Sequence, residues 1–285
     1  MITDPKPIRI LRHAVLVIAC LVVLIPIYFV FVASSIPLPE IFQRPMPLVP
    51  GGQLIENYYR ALFVGGRGLG GEHGIGAITL IQNSLIMAVG ITVGKIIVSL
   101  LSTFAIVFFR FPGRTFFFWT IFITLMLPVE VRIVPTYQLI SSFGMVNTYM
   151  GLILPLAVSA TATFLFKQYF MTVPDQLIEA AKIDGAGPMR FFSYILVPMS
   201  RTPIASLVVI QFVYGWNQYL WPLIVTTDRS FYTVMLGLSS MLNAADSQAD
   251  WHIVMAIVIL SMIPTMLLVL GMQKQFVRGL TESDK

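Results

Sequence analysis

Six apolar stretches, each long enough to cross a lipid bilayer, occupy most of this chain, at about residues 14–35, 80–109, 115–134, 149–170, 203–226 and 252–272. A helix rises about 1.5 Å per residue and a hydrocarbon core is about 30 Å thick, so roughly 20 apolar residues make one crossing. In lipid every backbone N–H and C=O must be paired internally, which leaves helices as the reading for runs of this kind. Only 11% of the 285 residues are charged, against about a quarter in soluble domains. The expectation is an all-α membrane protein with six transmembrane helices over 14–272. An N-terminal segment of residues 1–13 precedes them, and a tail of 273–285 follows.

The lysines and arginines orient these spans. With both termini on the cytoplasmic side, twelve of the eighteen lie inside: three in the head, Arg110 and Arg114 in the first inner turn, four between Lys167 and Arg201, and three in the tail. Five lie outside and Lys95 lies within a span. Basic residues concentrate on the cytoplasmic side of membrane proteins, so this asymmetry selects the orientation. The net charge of +5 is thus a topological signal rather than a footprint of nucleic acid. The first apolar run is too long for the core of a cleaved signal peptide, about 7–15 residues, and reads as a retained helix.

Several chemistries are excluded. One cysteine, Cys20, allows no intrachain disulfide. The three histidines, His13, His73 and His252, are scattered, so no metal cluster is legible. Gly90 and Gly94 form a small-residue pair suited to close helix packing in lipid. The stretch they belong to, Gly90 to Ile96, mimics a phosphate-binding loop, but its gap is one residue short and Ile96 stands where Ser or Thr is needed. No nucleotide site is legible, so any ATP must be bound by a partner. Residues 65–76 contain seven glycines, and a match to G-x-G-x-x-G begins at Gly66. No strand precedes it, so the expectation there is a flexible tether.

The inner segment 171–202 has the most distinctive pattern. Pro174 suits the first turn of a short helix, and Asp175 adds negative charge near its N-terminus. Glu179, Ala180 and Ala181 continue the helix, Gly185 ends it in the left-handed conformation, and Pro188 starts a second. The chain is expected to break again at Pro198. The spacing E-A-A, three residues, G, nine residues, I-x-L-P is met at Glu179-Ala180-Ala181, Gly185, Ile195 and Pro198. It resembles the EAA loop of permease subunits of bacterial ABC importers, with Val197 where that family has leucine.

The likeness extends over nearly the whole chain to carbohydrate-importer permeases related to the second membrane subunit of the maltose transporter. Within that family it is nearest to members that import sn-glycerol-3-phosphate. It is carried by RFPGRTFFFWTIFITLMLPVEVRIVPT (110–136), SATATFLFKQYFMTVPD (159–175), EAAKIDGAGPMRFF (179–192), YGWNQYLWPL (214–223) and FVRGL (276–280). The resemblance implies a type I importer permease in the bacterial inner membrane. Its implied partners are a second permease, two ATPase subunits carrying ATP and Mg, and a periplasmic solute-binding protein. This chain would bind no cofactor and catalyse nothing itself. Glu179, Ala180, Ala181, Asp184, Gly185, Ile195 and Pro198 would couple it to the ATPase. A neutral sugar or polyol is the alternative substrate class. An ATP-independent channel or carrier is the alternative of another kind, and it leaves the EAA spacing unexplained.

Two places could line a solute path. Glu130 and Arg132 lie between Pro128 and Pro135 near the outer end of the third span; they could face a water-filled cavity or neutralise each other at the interface. Tyr214, Asn217, Gln218 and Trp221 fall on one face if the fifth span is a single helix. Amides and aromatics there suit a hydroxylated solute or contact with a partner helix. Lys95 is a costly intramembrane charge, consistent with function, with snorkelling or with pairing inside the bundle. Ser159, Thr163 and Lys167 form a weaker stripe on the fourth span, read as helix packing.

Overall fold

The structure, a computed structural model, describes residues 6–70, 74–124, 129–243 and 249–281; for 6, 129–130 and 274–281 it describes the backbone alone. No strand occurs among the described residues. Among the described residues three helices are long and apolar enough to cross a membrane, within α1 (Lys6–Ser35), α3 (Ala77–Phe108) and α12 (Trp251–Thr281). Counting each of two bent pairs as one span gives five among the described residues: Tyr149–Leu156 with Ala160–Phe170, at 47°, and Pro188–Met199 with Arg201–Trp216, at 74°. The stretch read as the third span appears as α4 (Arg114–Ile123) and α5 (Val129–Ser142), with Pro128 outside the described residues. Helix α5 runs on through Pro135 to Ser142, eight residues beyond the expected end of that span.

The chain forms two compact units. The first combines residues up to Thr79 with Gly237–Ile263. In it, α1 presents a long apolar surface outward, as lipid or another subunit requires. The buried amide of Asn57, on α2 (Leu54–Phe63), donates to the carbonyls of Ser34 and Ile36 at 3.0 and 3.1 Å. These bonds pair backbone acceptors that the end of α1 leaves open.

The glycine-rich segment belongs to this unit, and its described part is not a loose tether. Leu69 is fully buried. The Arg67 amide donates to the Asp250 carboxylate at 3.0 Å, and the Arg67 guanidinium stands 3.6 Å from the same group. Gly68 has φ +88°, and a β-carbon there would collide with the Ser240 carbonyl oxygen. Glycine is used here for a left-handed turn and a close backbone approach, two demands that composition alone does not separate from flexibility.

The second unit comprises Leu80–Leu236 and the chain from Pro264 onward. Helix α3 is its axis. Gly90 and Gly94 admit the next pair of elements closely: a β-carbon on Gly94 would come within 2.7 Å of Ala157 Cβ, and one on Gly90 within 2.6 Å of Ile153. This is the close approach expected of the small-residue pair. Those partners lie on and just after α6 (Tyr149–Ile153), which leads through a 3-10 turn at Pro155 into α7 (Ala160–Phe170). The Ser159 hydroxyl caps α7 by accepting from the Ala162 amide at 3.2 Å. Ser99, Thr103 and Thr163 join α3 to α7 through hydroxyl bonds of 3.1–3.2 Å. The hydroxyls of the Ser159–Thr163 stripe are thus used for packing.

The fifth apolar stretch is not one helix. α10 (Arg201–Trp216) stops, and α11 (Leu220–Val225) begins after a break. The amides of Asn217 and Gln218 fold back onto the Val213 and Tyr214 carbonyls at 2.9 and 3.2 Å. Such local bonds compete with continued helix, and Pro222 cannot supply the N–H that continuation needs. Tyr214, Asn217, Gln218 and Trp221 therefore do not share one helical face.

Candidate functional site: a coupling element and a polar cavity

Segment 171–202 folds as two short helices, α8 (Asp175–Ile183) and α9 (Pro188–Met199). The turn between them satisfies the open carbonyls at the end of α8. The Gly185 amide donates to the Lys182 carbonyl at 3.1 Å and the Ala186 amide to the Ala181 carbonyl at 2.8 Å. This is the paired bonding of a glycine-terminated helix, and Gly185 has the required positive φ of +70°. Pro188 opens α9 as expected. Pro198 does not break the chain. The helix widens into a π turn over 192–196, a form that can absorb the hydrogen bond Pro198 lacks. The bend falls two residues later, at Ser200.

One face of this element is anchored. Ala181 is buried and Ile195 half-buried in a cluster with Phe104, Phe166, Phe170, Phe191 and Leu196. Phe191 stacks edge-on against Phe108 at 5.6 Å, and Phe192 lies 4.9 Å from Phe104. The low profile of Ala181, for which the resemblance implies a coupling role, therefore serves packing within this chain, while Ala180 is exposed. The opposite face carries Glu179, Ala180, Asp184 and Gly185, all exposed. Beside them project Ile183 at 86%, Tyr194 at 77% and Met189 at 61% exposure. Sequence reasoning overlooked these three; Ile183 sits four residues after Glu179, on the same helical face.

The second feature is a cavity of about 380 Å3 bounded by α3, α7 and α10 together with Thr124 and Arg132. Lys95, only 5% exposed, reaches its edge. Its ammonium donates to Gln211 Oε1 at 2.9 Å and lies 3.5 Å from the centre of the Tyr214 ring. Arg132 and Tyr214 thus meet here, joined by Lys95 and Gln211. The side chain of Glu130 lies outside the described residues. Asn217 is exposed, Gln218 is half-buried, and neither lines this space. Trp221 is buried, and its indole N–H donates to the Gly151 carbonyl at 3.0 Å, a packing role. Gln211 could have been found from sequence, since it lies three residues before Tyr214 on the same helix face. Among the described residues no group of three metal-ligating side chains occurs.

Broken apolar helices, a two-helix element anchored on the bundle and a polar cavity inside it define a membrane permease subunit. The chain belongs to the family of binding-protein-dependent transport system inner membrane components, whose pattern matches residues 84–282. It is 52% identical over 283 residues to the sn-glycerol-3-phosphate transport system permease protein UgpE of Brucella abortus (strain 2308), covering 99% of both chains. It is equally identical to the protein so named in Rhizobium meliloti, with the same coverage. The Salmonella typhi protein of that name is 51% identical over the full length of both chains. In fold it is similar to a chain of a bacterial ABC transporter that imports the acidic polysaccharide alginate, with TM-score 0.80, 19% identity, and 97% and 100% of the two chains covered. The chain therefore has the type I importer permease fold.

Proposed function

We propose that this chain is one of two permease subunits of an ATP-driven importer that carries sn-glycerol-3-phosphate, and related glycerophosphodiesters, across the bacterial inner membrane. The supporting observation is the full-length match, at 51–52% identity, to relatives that carry this transport in their names. The complex has a second permease, two ATPase subunits that hold ATP and Mg, and a periplasmic solute-binding protein. Six spans with both termini inside put segment 171–202 on the ATPase side, in accord with the distribution of basic residues.

The exposed face of Glu179, Ala180, Ile183, Asp184, Gly185, Met189 and Tyr194 docks on the ATPase. Ile195 and Pro198 set the angle of α9 behind it. Closure of the ATPase pair around ATP moves this element, and its aromatic anchor carries the movement into α3 and α7. The bundle then alternates between outward- and inward-open states. On the solute path, Arg132 and Tyr214 line the cavity; Glu130 flanks Arg132 on α5, and Asn217 and Gln218 stand at the break beside it.

The test is uptake of radiolabelled sn-glycerol-3-phosphate in cells lacking this chain, with and without its return on a plasmid. Loss and rescue support the reading. Unchanged uptake, in cells with no other route for this solute, removes the phosphate ester and turns the search to neutral polyols and sugars.

A further inference from the structure

We propose that the cavity between α3, α7 and α10 binds the phosphate group of the transported ester, with Lys95 and Arg132 as its cationic ligands. The inference rests on the substrate proposed above and goes past it, because it assigns the grip on the solute to this subunit.

Lys95 carries the argument. A buried ammonium in a membrane span is costly and is tolerated where it meets a counter-charge or a wet cavity. Here its partners are a neutral amide oxygen and an aromatic face. An ammonium has three donors, of which Gln211 takes one. Arg132 brings a second cation to the same space, and among the described residues no carboxylate lines it. Two cations share the cavity, and no carboxylate among the described residues pairs with either there; an anion completes such an arrangement. A guanidinium adds a planar fork matched to phosphate oxygens.

The backbone contributes in the same sense. The break at residues 154–159 places the first turn of α7 at the cavity wall, where Ser159, Ala160 and Thr161 line it. A helix start carries partial positive charge on its amide groups. Interrupted helices whose N-termini face anionic solutes recur in membrane transporters. The hydroxyls of Thr161 and Tyr214, which line the cavity, can serve the glycerol end. A volume of about 380 Å3 lies within the range of about 300–1,000 Å3 typical of small-molecule sites. A neutral polyol would gain hydrogen bonds but no charge pairing from the two cations.

The experiment uses the assembled importer with its ATPase and binding protein in proteoliposomes. Uptake of radiolabelled sn-glycerol-3-phosphate is compared for Lys95→Met, Lys95→Arg, Arg132→Gln and Arg132→Lys, with assembly of each complex checked by co-purification. The charge-removing variants are expected to lower uptake by about tenfold or more, the scale of a lost charge-assisted hydrogen bond. Lys95→Arg is expected to recover most of it, and Arg132→Lys part of it, since lysine keeps the charge but not the fork. Wild-type rates in Lys95→Met and Arg132→Gln overturn the proposal. So does a loss in Lys95→Arg and Arg132→Lys as deep as in the uncharged variants, since the side chains then act through packing alone. A wild-type complex that takes up no sn-glycerol-3-phosphate removes the substrate reading itself, an outcome distinct from a defect confined to the variants.

Discussion

Asn147 and Thr227 are tied to each other twice: Asn147 Oδ1 accepts the Thr227 amide at 2.7 Å, and Asn147 Nδ2 donates to Thr227 Oγ1 at 2.9 Å. The same oxygen accepts the Asp228 amide at 3.0 Å, and the Asn147 amide reaches the Val225 carbonyl at 3.1 Å. One side chain thus joins the turn before α6 to the end of α11, and it does so at φ +56°. Asparagine tolerates that conformation better than most residues. Asn147→Ala removes three hydrogen bonds and retains an unfavourable backbone. It is expected to cost about 1–3 kcal/mol, read as a lower unfolding temperature in detergent. Asn147→Gly keeps the backbone free and is expected to lose less.

Helix contact across α3 and α10 is set by absence of bulk. A β-carbon on Gly215 would lie 2.9 Å from Ala88 Cα, a backbone atom that cannot step aside alone. Gly215→Ala is expected to destabilise by about 1–3 kcal/mol, as overpacking does. Gly271 has nothing within 4 Å of such a carbon. Gly271→Ala is expected to be neutral or to gain about 0.5–1 kcal/mol from the better helix former. Thermal unfolding of the two variants side by side tests the contrast.

Gly185→Asp probes the coupling element. Space is open around Gly185, so the change acts through its positive φ, which costs a side-chain-bearing residue about 1–2 kcal/mol. It also sets a third carboxylate near Glu179 and Asp184. The expected result is a complex that assembles and hydrolyses ATP but takes up little solute. Normal uptake would count against the coupling role.

Phe191 probes the anchor behind that element. It is buried against Phe108, and Phe191→Ala is expected to cost about 3–5 kcal/mol of local packing. Stimulation of ATP hydrolysis by loaded binding protein should fall, while Phe191→Leu keeps most of it. Proteoliposome ATPase assays with and without solute separate the two.

Apolar length made the helices legible, and so did the glycine and proline punctuation of 174–188, because each of those signals acts within one or two turns. The break at Trp216 was hidden. It depends on two amides turning back on their own helix, and the residues 214–221 fit a continuous face equally well. The inward turn of Ala181 was hidden for a related reason: an alanine suits both a docking face and a tight core, and only the position of Phe104 and Phe108 decides. Arg132 and Tyr214 were visible as candidates. Their meeting with Lys95 was not, since it joins positions on three separate apolar stretches, Arg132 37 and Tyr214 119 residues from Lys95. Glycine content suggested looseness at 65–70, where the backbone bonds and the buried Leu69 show a packed turn.

That packed turn alters how the segment opens in time. The Gly65 amide bonds to the Arg60 carbonyl at 2.8 Å, Leu69 to Gly66 at 3.1 Å and Ile75 to Leu69 at 3.2 Å, with Arg67 held by Asp250. Amides so engaged exchange with solvent only when a cooperative unit opens. In deuterated buffer, Arg67 and Leu69 should keep their protons about as long as helical residues nearby, and a protease should cut elsewhere first. The most glycine-dense part of the chain is then one of its slower clocks, and a reporter inserted there would unseat the residues around Asp250 instead of riding on a passive linker.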